Sequence, residues 1–361
     1  MWKNIRKKRN LLIPISILAL IFTFLNFKSF FDKCSKNLQI KKENFENYKS
    51  DESFILQNFL IDLEKLENPK SKQIFFLETH LFGKRKLENS RQICSIESAA
   101  RMNHDFNIYF FLMTDQNEVI LEHTIQLDVL LSYSNIKIRF ANITEFTKGT
   151  KMENFFKENK IAKSPYQIEH TSDILRMLIL NKFGGLYLDH DVLSLFPISL
   201  LNVKNFGCLE KRNFFANAIL KLDKIEGKKY SDLYLEKVAN HYDPNSWPAN
   251  GPVLVTQSFR SFCNNTNLER NKTTKCDKIT ALANEKCFLF MWHEYEKFYE
   301  EKFLNEGLER MMKIGAFFVH IWNHSLKYYN KIYKLTRDSK VVYMELAKAY
   351  CPRTIEIINT F

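Results

Sequence analysis

Asp189 and Asp191 close the run "GGLYLDHDV" at residues 184–192. Carboxylates beside so apolar a stretch are costly unless they are paired or bound to a cation. A strand alternates its faces, so Tyr187, Asp189 and Asp191 would lie on one side and Leu186, Leu188 and His190 on the other. Two carboxylates converging at a strand end can share a divalent ion, and oxygen ligands suit Mg²⁺, Mn²⁺ or Ca²⁺ better than zinc. Asp-x-Asp is common in loops, but here it follows an apolar strand, at the carboxyl end where open α/β sheets bind ligands. Upstream stands "SDILRMLILNKF". Ser172 reads as an N-cap, which puts Asp173 in the first helical turn, and Arg176 shares its face three residues on. Taken alone, that pair is a surface ion pair. Gly184 suits a left-handed C-cap, turning the helix into the strand.

The elements that would carry these residues can be read from periodicity. "IFFLE" (74–78), "NIYFFLMT" (107–114) and "IKIRFAN" (136–142) read as buried strands, and "SRQICSIESAARMN" (90–103) has helical spacing. Strands alternating with helices predict an α/β fold with a central, mostly parallel sheet. The Gly-Pro at 251–252, the stretch 264–273 and the acidic segment 294–309 mark irregular surface.

The chain has 361 residues, about 45% of them hydrophobic, enough for one large domain with appendages. Leu11 to Phe27 is an uncharged apolar run preceded by Lys3, Arg6, Lys7, Lys8 and Arg9, and followed only by Lys28 and Lys33 with Asp32 between them. That asymmetry puts the N-terminus in the cytosol and everything after Phe27 across the membrane. The flank "NFKSFFDKCSK" lacks a small-residue cleavage site, so the run reads as a signal-anchor. The expected organisation is a cytosolic tail (1–10), a transmembrane helix (11–27), a polar stem (28–71) with one short helix near Phe54 to Leu66, and a lumenal catalytic domain (72–361).

The net charge of +12 belongs partly to the cytosolic tip and is otherwise scattered, so nucleic-acid binding is excluded as a reading. All seven cysteines follow the apolar run without a CxxC pair, which predicts disulfides and leaves an odd thiol, Cys34 being the candidate; a homodimer stays open. Sequons at Asn142, Asn264, Asn271 and Asn323 are candidate glycosylation sites. No Gly-rich loop ending in GK[ST] is present, which argues against a phosphotransferase.

The block "SDILRMLILNKFGGLYLDHDV" resembles the sugar-nucleotide-binding block of DXD-containing glycosyltransferases. It is most similar to the eukaryotic α1,4-galactosyltransferase and α1,4-N-acetylglucosaminyltransferase family, and more distantly to the glucosyltransferase domains of large bacterial toxins. "IFFLE", "CSIESAARMN" (94–103), "NGPVLVTQSFRSFC" (250–263), "VHIWNHS" (319–325) and "AKAYCPRT" (347–354) extend the resemblance over most of the head. The resemblance implies a GT-A type fold with strand 74–78 near the uridine, and a Golgi type II membrane protein. It implies Asp189, Asp191 and His320 as ligands of Mn²⁺ (or Mg²⁺). Asp173, Arg176, Gly185 and Tyr187 would face the donor sugar, and Asn217 and Asn250 the reaction face. His190 stands where the family commonly has Thr, and its side chain should point away from the metal. The implied reaction is retaining: galactose, N-acetylgalactosamine or N-acetylglucosamine passes from a UDP-sugar to a glycosphingolipid or other glycan. No carboxylate nucleophile stands out, which favours a same-face reaction assisted by the leaving phosphate. A catalytically inactive glycan-binding protein on the same fold is the alternative.

Overall fold

The computed structural model describes residues 53–361 except 69, 80–85, 264–266 and 359–360. The expected signal-anchor and Cys34 lie outside the described residues; among these, no helix is long and apolar enough to cross a membrane. In chain order the strands are β1 (Ser53–Ile55), β2 (Gln73–Glu78), β3 (Asn107–Thr114), β4 (Ile120–Glu122), β5 (Ile136–Asn142), β6 (Gly185–Leu188), β7 (Val192–Ser194), β8 (Phe206–Lys211), β9 (Phe214–Leu222), β10 (Thr274–Cys276), β11 (Ile279–Leu282) and β12 (Phe318–His320). The helices that position the site are α1 (Ser90–Met102), α2 (Gln167–Phe183) and α3 (Glu226–His241).

An eight-stranded sheet runs β10-β11-β8-β9-β6-β2-β3-β5. Strands β2, β3, β5, β6, β8 and β11 point one way and only β9 and β10 oppose them, so the sheet is mostly parallel, as the sequence predicts. Buried Phe and Ile on both faces of β2 and β3 explain their unbroken apolar runs, because a parallel sheet is covered on both sides. One face packs Phe75, Tyr109, Phe111 and Tyr187 under α2, and the other packs Ile74, Phe76, Ile108 and Leu186 under α1.

The folded unit begins earlier than residue 72. β1 pairs antiparallel with β4, and Phe59 is buried edge-on against Phe111 and Phe146. Asp62 pairs with Arg139 at 2.7 Å. The end of the expected stem is thus part of the head, held by Phe59, Leu66 and one ion pair, too few anchors to give a periodic pattern. Six cysteines form Cys94–Cys351, Cys208–Cys287 and Cys263–Cys276.

Candidate active site

The helix carrying Asp173 and Arg176 starts at Gln167, so Ser172 is not its N-cap and Asp173 is not in its first turn. The extra turn is stabilised by His170, wholly buried, whose ring contacts the hydroxyls of Ser164 and Tyr242 and the carbonyl of Ser246. Gly184 and Gly185 then reverse the chain with φ of 64° and 112°. A Cβ on Gly185 would lie 2.8 Å from the Gln73 carbonyl oxygen, so only glycine lets β6 lie this close to β2. Gly185 therefore sets strand spacing. It stands four residues before Asp189, about 13 Å away along a strand, and does not face the donor site.

β6 ends at Leu188, and a turn closed by the Val192 N–H on the Asp189 carbonyl carries Asp189, His190 and Asp191. Strand alternation is therefore not what brings the two carboxylates together. β7 resumes after the turn and pairs antiparallel with β12, setting His320 opposite Val192. The result gathers ligand atoms of Asp189, Asp191 and His320 within 4.8 Å of one another. Asp191 lies 2.9 Å from His320 Nε2 and accepts the Asn323 N–H at 2.8 Å. Trp322, between those two, adopts a left-handed φ of 57°, held by stacking on Phe288 and by its Nε1–H donated to the Phe290 carbonyl. A bulky residue in that region is strained, and here the bend turns the Asn323 N–H toward Asp191.

Burial alone would raise the Asp191 pKa, but His320 and the Asn323 N–H outweigh it and hold the group below the usual carboxylate range. Burial likewise pulls His320 down, yet Asp191, Asp189 and Glu210 prevail and raise it. His320 Nδ1 is buried without a hydrogen-bond partner among the described residues. Two carboxylates and one imidazole fit a divalent cation that accepts mixed oxygen and nitrogen ligands, as Mn²⁺ does. His190 points the other way, as expected. Its Nδ1 lies 2.6 Å from Gln92 Nε2 of α1, and its ring packs on Phe76 and Phe110. Burial lowers its pKa, leaving a neutral ring.

The neighbouring end of the site is built on Arg176. Its Nε donates to the Ser172 carbonyl and its Nη2 to Ser172 Oγ, and Nη2 ion-pairs with Asp173 at 3.2 Å. Nη1 donates to the Asn217 carbonyl and ion-pairs with Asp189 at 3.0 Å. The guanidinium thus makes three hydrogen bonds within the protein and lies between two carboxylates. Asp173 also accepts the Asn217 amide at 2.7 Å. Because burial outweighs Arg176, the Asp173 pKa is pushed up to about 6. The pair is buried; the surface reading of its i,i+3 spacing does not hold.

Tyr187 is 1% exposed. Its hydroxyl donates to Asp189 at 2.6 Å and its ring lies under the Arg176 guanidinium at 4.6 Å, so it braces Asp189 and is closed to a sugar. Asn250 is fully buried, accepting the Asp243 N–H and donating to the Asp243 carbonyl, and is not at a reaction face. Its work is to fold the loop that brings Gly251 against Asp173, where a Cβ would lie 2.3 Å from Oδ2. Asn217 does lie beside Asp173, facing the site. Gln92, Gly251 and the Asn323 N–H were not legible as site groups: the first looks like any helix residue, the second like a turn, and the third is backbone.

Among the sequons, Asn142 is buried; its amide donates to the carbonyls of Asp115 and Gln116 and its oxygen caps the helix Ile143–Thr147, which leaves no room for a glycan. Asn323 accepts from Arg91 and is held in the site, so it too is a poor acceptor. Asn271 is exposed, and Asn264 lies outside the described residues.

Two family models match the chain: the glycosyltransferase sugar-binding region containing a DXD motif, over residues 89–207, and the α1,4-glycosyltransferase conserved region, over residues 225–358. The first spans α1, Arg176 and both aspartates, and the second spans Gly251 and His320. Both matches are to glycosyltransferases, and the chain is similar to the DXD-containing ones. Within that class it is similar to the α1,4-glycosyltransferases. It is 28% identical to the lactosylceramide 4-alpha-galactosyltransferase of Mus musculus over 263 residues, 73% of this chain and 70% of that protein. It is 24% identical to the alpha-1,4-N-acetylglucosaminyltransferase of Homo sapiens over 264 residues, 72% and 74% of the two chains. The solved galactosyltransferase LgtC with donor and acceptor sugar analogues matches with a TM-score of 0.40 and 12% identity, covering 77% of this chain and 96% of that one. A likeness that distant carries no argument.

Proposed function

We propose that this protein is a retaining transferase that moves galactose or an N-acetylhexosamine from a UDP-sugar to the terminal hexose of a glycosphingolipid or another glycan. The reading includes Golgi residence as a type II membrane protein with a lumenal head. The observation that carries it is the convergence of Asp189, Asp191 and His320 beside the Asp173–Arg176 pair. When a sugar leaves a diphosphate, positive charge develops at the anomeric carbon and negative charge on the departing phosphate. A divalent cation held by Asp189, Asp191 and His320 would supply Lewis-acid stabilisation of that phosphate. The chain's own residues set the geometry. Arg176 and Tyr187 both hold Asp189 at Oδ1, while the Asn323 N–H fixes Asp191, so little reorganisation is left for the reaction itself. Asp173, held by Asn217 and Arg176, offers a carboxylate edge to donor hydroxyls. Strand β2, next to β6 in the sheet, is suited to lie near the uridine.

The test is a panel of UDP-sugars with lactosyl-, GalNAc- and GlcNAc-terminated acceptors, with product linkage determined. An α1,4-linked product that requires Mn²⁺ or Mg²⁺ is expected. Glycan binding with no turnover for any donor would favour the inactive binding protein instead.

A further inference from the structure

A loop and the short helix Asn323–Tyr328 meet at the rim of the site through an exposed aromatic pair. Trp247 stacks on His324 with ring centroids 5.4 Å apart and 27° between the planes. Trp247 is 41% exposed and the His324 side chain 51% exposed. Single exposed aromatics are ordinary on a protein surface, so position has to decide what this pair does.

Both partners are tied to site groups by short stretches of chain. Asn323, one residue before His324, gives its N–H to Asp191. Gly251, four residues after Trp247, presses on the Asp173 carboxylate. A third group completes the rim. Glu169 lies one turn before Asp173 on the same face of α2, with its Oε1 3.9 Å from His324 Nε2. That separation is too long for a hydrogen bond, and among the described residues the Glu169 carboxylate accepts none.

A hexopyranose presents a face of C–H groups and a rim of hydroxyls. An indole suits the first, while a carboxylate and an imidazole suit the second. Sugar and cofactor sites commonly combine an aromatic wall with a few convergent polar groups. Trp also loses little conformational entropy when it is covered, because only two side-chain torsions need fixing. We infer that Trp247, His324 and Glu169 form the subsite for the terminal hexose of the acceptor. This rests on the transfer reading above. The trio borders the Asp173 end of the site, where the sugar of the donor would lie.

The experiment uses the full chain in detergent, the UDP-sugar that gives most product, and the best acceptor of the lactosyl, GalNAc and GlcNAc panel. Trp247→Ala should raise the acceptor KM tenfold or more while the donor KM stays within twofold, and Trp247→Phe should recover most of the loss. Glu169→Gln should raise the acceptor KM about threefold. An unchanged acceptor KM in Trp247→Ala overturns the subsite. So does a donor KM that rises as much, since the indole would then be stacking on the nucleotide. Wild-type protein that modifies no acceptor overturns the transfer reading, an outcome distinct from either of these.

Discussion

The two halves of the site are built from similar charged groups but satisfied to different degrees. Arg176 donates hydrogen bonds to Ser172 and the Asn217 carbonyl and ion-pairs with Asp173 and Asp189, and Asp173 also accepts the Asn217 amide. At Asp189, Asp191 and His320 two carboxylates and one imidazole bring ligand atoms within 4.8 Å of one another. A region where a protein cation already faces the carboxylates is a frame, whereas carboxylates and an imidazole gathered so closely suit an added cation. The difference assigns Arg176 to holding Asp189 in place and leaves cation binding to the turn. Arg176 is expected to read donor hydroxyls, but it is buried, with three internal hydrogen bonds and two ion pairs, which suits support.

Changes at the open end should cost most. Asp191→Asn removes a negative charge from the cation set and weakens its grip on His320, so transfer at saturating UDP-sugar should fall about 10³-fold. Mn²⁺ binding followed by electron paramagnetic resonance should weaken in parallel. Mn²⁺ affinity equal to wild type would break the division between the two ends. Next in size is Arg176→Lys, which keeps the charge and loses the fork. An ammonium cannot reach Ser172, the Asn217 carbonyl and both carboxylates at once, so part of the buried network loses its contact. Activity should fall about 10²-fold and stability by about 3 kcal/mol, measured by denaturant unfolding, because the break lies in a buried ionic network. A variant that loses activity with no loss of stability would show that Arg176 touches substrate after all.

How much of this could be read beforehand follows from the same contrast. β2, α1, β3 and β5 were legible because their apolar runs are covered on one or both faces by local neighbours in sequence order. Asp189, Asp191 and His320 were legible from a motif, although the turn that joins the aspartates was mistaken for a strand end. The roles of Tyr187, Gly185 and Asn250 were not. Each is set by a contact from a distant part of the chain, to Arg176, to Gln73 and to Asp243 in its folded loop, and no short-range pattern encodes such contacts. The start of α2 was misplaced for a related reason. Ser172 has the chemistry of an N-cap, but the buried bonds of His170 extend the helix beyond it.

The smallest predicted effect distinguishes frame from ligand site by pH. Burial, opposed by Arg176 and reinforced by Asp189, pushes Asp173 up to about 6, so its carboxylate begins to protonate in mildly acidic solution. At a fixed Mn²⁺ concentration, transfer should fall as pH drops below neutrality and the Asp173 carboxylate protonates. The stability change runs the other way. A folded pKa above the unfolded value means that the native state binds more protons between the ordinary carboxylate range and pH 6, so the Asp173 contribution to stability grows as pH falls through that window and is lost as pH rises through 6. His320, raised in the metal-free chain, has the same sign: its contribution is present below its ordinary pKa and lost as pH rises through the folded one. Activity should therefore fall between pH 7 and 5.5, while Asp173 and His320 add stability to the metal-free protein over that range and His170 and His190, whose pKa values burial lowers, subtract from it. Asp173→Asn, having nothing to titrate at that position, should lose both the acidic limb of its residual activity and the Asp173 part of the stability gain. An acidic limb that survives in Asp173→Asn would instead place the titrating group among the cation ligands.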